Sequence, residues 1–467
     1  MVRRGRWAGL LGSVVATICL LPLPSATAAP AAAGPPMGWN SWNSGIALSE
    51  KNIETTIDAM VASGMRDAGY RYVDLDAGWA APDRDTRGDP QADPEKFPHG
   101  MAALARYAHQ RGMLLGLYSS PYNETCGQTL QNTSAGHEVQ DARTFAAWGV
   151  DYLEYDWCRA SSDQIYQVRK FTAMRDALRA SGRHIVYSIN PNSSDRDTAA
   201  DYDWSRISDV TRNAHDLFPF WRNALPPISI NQFVSQQFLG VVDQVRAVAP
   251  LAGRSRPGHW NDPDMLVVGT QLAEFLGTHV GTVPGTLLKA FPLTQDQQRA
   301  GRTAVKQLSG MVTLSPEQIA ALSNPQYSLT PAEQRAHFTL WAMLAAPLIA
   351  GNDVRTMSAQ TRAVLTDRDV IAVDQDPASV QGAFLPTDDR VMTKRLSDGS
   401  TAVALLNRAD TAADVITSAH AAALTPASCY TVRDLWSHTT TTTTGALTAK
   451  TLAPHDAALL RVTPHCD

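Results

Sequence analysis

Beyond its first 30 residues the chain has no apolar run approaching the length of a membrane-spanning helix, which argues against helical spans in the bilayer. No two cysteines stand two to four residues apart and no histidine pair sits at ligand spacing, so the usual signature of a zinc site is missing. No glycine-rich phosphate loop follows the first expected strand, which removes the main sign of a nucleotide-binding fold. Nor is either sign of charge in excess. With 40 Lys and Arg against 45 Asp and Glu, the net charge is −5 over 467 residues, and there is no electrostatic case for nucleic acid or an anionic membrane as partner. Small neutral substrates remain open.

Residues 1–29 read as a signal peptide: Arg3, Arg4 and Arg6, a short apolar stretch, then small residues with cleavage expected near Ala28 or Ala29. A secreted protein would keep four of the five cysteines, Cys126, Cys158, Cys429 and Cys466, and an even number in an oxidising compartment favours disulfides. Three pairings are open. The local one, Cys126 with Cys158 and Cys429 with Cys466, would put one staple in each half of the chain and leave no free thiol.

From residue 49 a helix-then-strand unit recurs. "SEKNIETTIDAMVASGMRDAG" places Ile53, Ile57, Met60 and Val61 at helical spacing behind Ser49 as N-cap, and the strand "YRYVDLD" follows. "GMAALARYAHQRGM" into "LLGLYSS", "QDARTFAAWG" into "VDYLEYD" and "SDQIYQVRKFTAMRDALRASG" into "RHIVYSIN" repeat the plan. Such alternation implies a parallel sheet. Strands that are apolar along their length and polar at their C-terminal ends point to a (β/α)8 barrel over residues 34–385, in preference to an open doubly wound sheet. Its rim would carry Trp39, Asp76, Tyr118, Asp156, Asn190, Asp209, Asp262 and Asp264. An insertion around 270–336 interrupts the pattern, either a wall or lid for the site or a peripheral elaboration. Residues 386–467 alternate apolar and polar between turn signals and predict an antiparallel β-sandwich, with the threonine run 439–444 as a polar strand or, alternatively, a linker.

A pair of carboxylates flanking a glycosidic bond is the minimal apparatus for cleaving it. Asp156, ending an apolar strand, is the candidate for one role, and "ISDVTRNAHDLFPFW" offers Asp209 and Asp216 for the other, with Arg212 close by. Trp39, Trp42, Trp79, Trp157 and Trp260 lie near these acids in sequence, and aromatic faces suit sugar rings, although each of them taken alone reads first as core filling. Single acids at strand ends also cap helices; it is their number that points to a site.

Seven stretches, in order, carry a resemblance to glycoside hydrolase family 27, the α-galactosidase (melibiase) family: "PPMGWNSW" (35–42), "YVDLDAGW" (72–79), "GLYSSPYNETC" (116–126), "DYLEYDWC" (151–158), "WNDPDML" (260–266), "HFTLWAMLAAPLIAGND" (337–353) and "VIAVDQDP" (370–377). The resemblance implies a barrel followed by a β-sandwich and a retaining mechanism through a covalent glycosyl-enzyme, without metal or cofactor. It further implies Asp156 as nucleophile, Asp216 as general acid/base, and a disulfide between Cys126 and Cys158 beside the site. Trp39, Asp76, Tyr118, Glu154, Asn190, Arg212, Asp264 and Met265 become candidates for sugar contact. Retention requires the two carboxyl groups to stand about 5 to 5.5 Å apart, with Asp156 ionised and Asp216 protonated at the outset.

Three sugar-reading positions depart from the family. Where its galactosidases have two adjacent aspartates, this chain has Asp76 and Ala77; Glu154 replaces a lysine; and Asn190, Pro191 and Asn192 stand where a Cys-Glu-Trp motif reads the 2-hydroxyl. Each lost charge-assisted contact is worth about 1.5 to 3 kcal/mol. The expectation is therefore a secreted retaining exo-glycosidase of α-galactosidase type acting on an oligosaccharide or polysaccharide. The alternatives are an isomaltodextranase-like α-glucoside hydrolase, a β-L-arabinopyranosidase or an α-N-acetylgalactosaminidase. A carbohydrate-binding protein that has lost catalysis is argued against by the presence of both Asp156 and Asp216. The sequons at Asn123, Asn132 and Asn192 are too short to establish glycosylation, and no sequence feature sets the oligomeric state.

Overall fold

The computed structural model describes residues 34–126, 128–129, 133–158, 163–191, 202–222, 238–272, 275 and 328–466, together with Met1. The expected leader, most of the 270–336 insertion, and Asn132 and Asn192 lie outside these residues.

Eight short parallel strands form the first sheet: β1 (Met37–Asn40), β2 (Tyr72–Leu75), β3 (Leu114–Ser119), β4 (Tyr152–Asp156), β5 (Val186–Asn190), β6 (Val210–Arg212), β7 (Trp260–Asp262) and β8 (Leu348–Ala350). They hydrogen-bond in the order β7-β6-β5-β4-β3-β2-β1-β8. The ends meet through Leu266, just past β7, which donates to Ile349 O (2.6 Å) and accepts from Gly351 N–H (3.0 Å). This is a (β/α)8 barrel.

The two-residue period of a strand sends alternate side chains to opposite faces. Leu75, Leu115, Leu117, Leu153, Tyr155, Tyr187 and Ile189 point outward into the core shared with the surrounding helices. Inward, Tyr72, Tyr152, Val186, Val210 and Trp260 plug the N-terminal end of the barrel, with the two tyrosine rings 5.5 Å apart. Farther along the same faces come Asp74 and Asp76, Glu154 and Asp156, Ser188 and Asn190, Arg212, and Asp262. The helices form where the periodicity places them. Glu50–Ala62 is capped by Ser49 and buries Ile53, Ile57 and Met60. Gln164–Ala180 is capped by Asp163 and buries Phe171, Met174 and Leu178, although Ile165 in its first turn faces solvent.

One sequence expectation is corrected by this geometry. Asp209 precedes β6 and lies at the N-terminal end of the barrel, where its Oδ2 accepts from Tyr187 N–H (2.8 Å); it caps the sheet and is not on the rim. Asp151 does the same before β4, accepting from Leu115 N–H (3.0 Å) and His109. The tryptophans are mostly core. Trp79 packs on Phe145 and Trp148, Trp157 on Tyr122, Tyr166 and Phe171, and Trp260 sits in the bottom plug; only Trp42 keeps a large exposed face at the mouth.

The C-terminal part is a β-sandwich. Its larger sheet runs Ala383–Leu385, Asp388–Arg395, Thr401–Leu406, Ala457–Thr463, Tyr430–Asp434 and Thr440–Thr443 in spatial order, and its smaller one pairs Ala413–Ser418 with Ala446–Leu452. The threonine run is thus an edge strand. Alternation splits the larger sheet between two cores: Val391, Val403 and Leu405 face the smaller sheet, whereas Met392, Ala402, Ala404 and Leu406 join the barrel's core. Across that seam Lys394, fully buried, donates to Ala342 O (3.0 Å), and Trp436 Nε1 donates to Thr339 Oγ1 (2.9 Å). The cysteines pair locally, Cys126 with Cys158 and Cys429 with Cys466. Among the described residues no helix is long and apolar enough to cross a membrane.

Candidate active site

The C-terminal ends of β1 to β7 enclose a strongly acidic mouth. Asp156 ends β4 with its side chain buried. Its Oδ2 accepts from Tyr118 Oη (2.9 Å), while its buried Oδ1 has no hydrogen-bond partner among the described residues. The Cys126–Cys158 disulfide abuts this pair, with Tyr118 Oη 3.4 Å from Cys158 Sγ. Although Cys126, Cys158 and Asp156 bring their donor atoms within 4.8 Å of one another, the two sulfurs are bonded to each other and offer no thiolate to a metal.

Across the mouth, Arg212 at the end of β6 is buried and forked between two carboxylates: its Nη2 donates to Asp216 Oδ1 (2.8 Å) and to Asp264 Oδ2 (2.7 Å). Asp264 also accepts from Leu217 N–H (2.6 Å) and Met265 N–H (2.6 Å), so it ties the segment after β6 to the segment after β7. Its φ of 86° is left-handed, an unfavourable backbone state for a non-glycine residue and common at functional sites. Asp216 differs from the rest: its side chain is 55% exposed.

The third side of the mouth is carried by β1 and β2. Asn40 Nδ2 donates to Asp76 Oδ2 (3.2 Å) and to Glu154 Oε2 (3.1 Å), bridging two strands that are not neighbours. Asp76 Oδ1 accepts from the N–H of Ala77 (2.6 Å), and Asp76 N–H donates to Ser41 Oγ (3.0 Å). Below them Asp74 is buried, with Oδ1 unpartnered among the described residues. A Cβ on Gly116 would come within 1.8 Å of that oxygen, so a glycine on β3 makes the room for this carboxyl.

So many acids in one barrel cannot all ionise. Burial first, and then each other's charge, raise them together: Asp76 to about 6, Asp264 to about 7 and Asp156 to about 8, with Asp74 and Glu154 pushed well above the ordinary carboxylate range. The charge of Asp216 adds to this rise at Asp76 and Asp156. Against these, the Tyr118 hydroxyl and the Arg212 guanidinium pull Asp156 down. The sequence-based expectation of a readily ionised Asp156 is opposed in direction by its burial. Glu154, two residues earlier on the same face, is pushed up by burial and by the charges of Asp76 and Asp156.

Of the sequence-predicted contact residues, Asp76, Tyr118, Glu154, Asn190, Arg212 and Asp264 lie inside the mouth at strand ends or just beyond them. Met265 follows Asp264 on the same loop. Trp39 is buried beneath the rim and donates through Nε1 to Asn352 O (2.8 Å). Pro191 O accepts from Gln167 Nε2 (3.0 Å), which anchors the start of the segment where the 2-hydroxyl reader was expected; Asn192 lies outside the described residues. Asn40, Asp74 and Gly116 were missed. The signal for Asp74 was present, because "YVDLD" alternates two carboxylates on one face as "YLEYD" does.

Family models match in two pieces: one described as alpha galactosidase A over residues 34–274 and 317–376, and one described as the alpha galactosidase C-terminal beta sandwich domain over 387–462. An alpha-galactosidase A of Cellvibrio japonicus is 36% identical over 384 residues, covering 81% of this chain and 77% of its own. An alpha-galactosidase of Oryza sativa is 32% identical over 435 residues, covering 92% and 85%. Among solved structures, alpha-galactosidase I from Mortierella vinacea superposes with a TM-score of 0.73 at 27% identity, covering 93% of this chain and 98% of that one.

Proposed function

The chain belongs to glycoside hydrolase family 27 and is a glycoside hydrolase, and from that premise we propose that it releases terminal α-D-galactose from oligosaccharides or polysaccharides by double displacement. Asp156 attacks the anomeric carbon through Oδ1, the oxygen left without a partner, while Tyr118 holds Oδ2. Asp216, set by Arg212 at the solvent side of the same mouth, protonates the departing oxygen and then takes a proton from water to hydrolyse the covalent ester. The disposition of these two carboxyls, one buried at a strand end and one exposed, is the observation that supports the reading. A separation of about 5 to 5.5 Å between them is what retention demands. The two disulfides and the leader-like first 29 residues support action outside the cell.

A second reading keeps the mechanism and changes the sugar. Asp76 stands without an aspartate neighbour, its Oδ1 taken up by the Ala77 N–H, and a carboxyl rather than a cation faces the pocket at Glu154. These changes favour a pyranoside whose 4-hydroxyl is not axial, or one lacking a galactose-type contact, such as an α-glucoside.

One panel separates the readings. Aryl α- and β-glycosides of galactose, glucose, N-acetylgalactosamine and arabinopyranose are assayed with the wild type and with Asp156→Ala. Turnover of the α-galactoside, its loss in the variant, and rescue by azide to give the β-glycosyl azide support the proposal. Turnover of the α-glucoside alone selects the second reading. An active Asp156→Ala variant would overturn both.

A further inference from the structure

We propose that the β-sandwich holds the segment carrying Asp216 in register for catalysis, with His455 as the positioning residue; this rests on the reading of Asp216 as the proton donor. Among the described residues the Asp216 carboxylate has Arg212 as its side-chain partner, and it is 55% exposed, so its placement depends on the backbone that follows it.

That backbone is secured at every step. Asp216–Leu217 pairs with Phe238–Leu239, and Phe218 N–H donates to Leu239 O (2.9 Å). Phe218 and Phe220 pack with Leu272 and Phe275. The N–H groups of Val241 and Val242, at the start of the helix Val241–Val248, donate to Phe220 O (3.1 Å) and Trp221 O (3.0 Å). Gly240 lets the chains come that close, because a Cβ there would lie 2.8 Å from Arg222 Cα.

The segment then ends on the sandwich. The Trp221 indole, nearly buried, stacks on the His455 imidazole with ring centres 5.4 Å apart and planes 14° apart, and Arg222 pairs with Asp410. His455 is in turn gripped from both sides, Nδ1 against Glu333 Oε1 (2.6 Å) and Nε2 against Asp410 Oδ1 (2.9 Å). Glu333 belongs to the capping box of the helix Pro331–Leu344, and the same helix presents Trp341 Nε1 to Asp264 O (2.8 Å). Asp264 holds both Arg212 and Leu217 N–H. His455 thus reaches the proposed proton donor by two routes, one through Trp221 and one through the helix. It does so from a left-handed backbone, φ 60°, an unfavourable state for a residue that carries a Cβ. Such strain persists only where surrounding contacts over-determine the conformation. A general acid acts only within hydrogen-bond reach of the leaving oxygen, so a small drift of this segment weakens proton donation first.

The test compares leaving groups. kcat/KM is measured on 2,4-dinitrophenyl and on alkyl glycosides of the sugar found active, for the wild type, Asp216→Ala, His455→Ala and the milder Asp410→Asn. An aryl group this acidic departs unaided, whereas the alkyl group needs its proton. Asp216→Ala is expected to lose about 100-fold or more on the alkyl substrate and little on the aryl one. His455→Ala is expected to lose about tenfold on the alkyl substrate and to keep its aryl turnover; Asp410→Asn, with a side chain 69% exposed, follows in the same direction with less effect and serves if His455→Ala does not fold. Equal losses on both substrates in His455→Ala and Asp410→Asn, or no loss on either, with Asp216→Ala behaving as stated, would overturn the positioning role alone. An Asp216→Ala variant indifferent to the leaving group would remove the acid role and this inference with it.

Discussion

Replacing Tyr118 by Phe removes one hydroxyl and leaves the ring in place. That hydroxyl donates to Asp156 at 2.9 Å, and Asp156's other oxygen has no partner among the described residues. A hydrogen bond to a charged acceptor contributes about 1.5 to 3 kcal/mol, and one pKa unit corresponds to about 1.4 kcal/mol. Losing it disfavours the ionised form, so the Asp156 pKa should climb by about 1 to 2 units from a value already raised to about 8. Attack needs the carboxylate, and below the pKa its fraction falls tenfold per unit. At pH 6, kcat/KM of Tyr118→Phe should therefore drop by about 10- to 100-fold, with the acid limb of the profile displaced to higher pH by the same 1 to 2 units. The assay is kcat/KM on an aryl glycoside across pH 4 to 11, with thermal denaturation as a control for folding. A limb that stays in place, or moves to lower pH, would refute the claim that Tyr118 sets the nucleophile's ionisation.

Glu154→Gln should leave that limb within about half a unit, because an amide stands in for a carboxyl already neutral, whereas Glu154→Lys should move it to lower pH by favouring the Asp156 anion; a large shift in the glutamine variant would contradict a neutral Glu154. Asp74→Asn should change the pH dependence of stability. In the folded protein burial holds the Asp74 proton well above the ordinary carboxylate range, while the unfolded chain releases it near pH 4, so wild-type stability declines as pH rises by up to about 1.4 kcal/mol per unit from this group. The variant should gain on the wild type between pH 5 and 8 in denaturant titrations, and parallel curves would count against it. Replacing Cys126 and Cys158 by Ser opens a loop spanning 32 residues and should cost about 3 to 4 kcal/mol of stability, together with activity, since the bridge abuts Tyr118; denaturation midpoints and kcat/KM read both.

Most of the barrel was legible because its strands announce themselves twice, by apolar runs and by the polar residues that end them. Asp156, Tyr118, Arg212 and Asp264 were found on that pattern together with the family motifs. Asp209 was misplaced because in a strand of three residues the periodicity tells which face a side chain takes but not whether it stands before or after the strand. Trp157 points the other way from Asp156, as adjacent residues of an extended chain do. Asn40 was invisible because its value lies in bridging β2 and β4 from β1, a property of barrel curvature. The stack of Trp221 on His455 joins positions more than 200 residues apart, and no local pattern encodes it.

The larger sheet of the sandwich has grease on both sides: one set of alternating residues meets the smaller sheet, the other the barrel, with the Lys394 ammonium sealed into the seam. Such a layer cannot be detached as a module. Cutting the chain after the barrel would leave the helix Pro331–Leu344 coated with unshielded leucine, phenylalanine and tryptophan, and the severed C-terminal piece would carry the matching sticky face. The two halves should therefore melt in one calorimetric event, and fusion partners should be attached at the chain's ends, never at the junction.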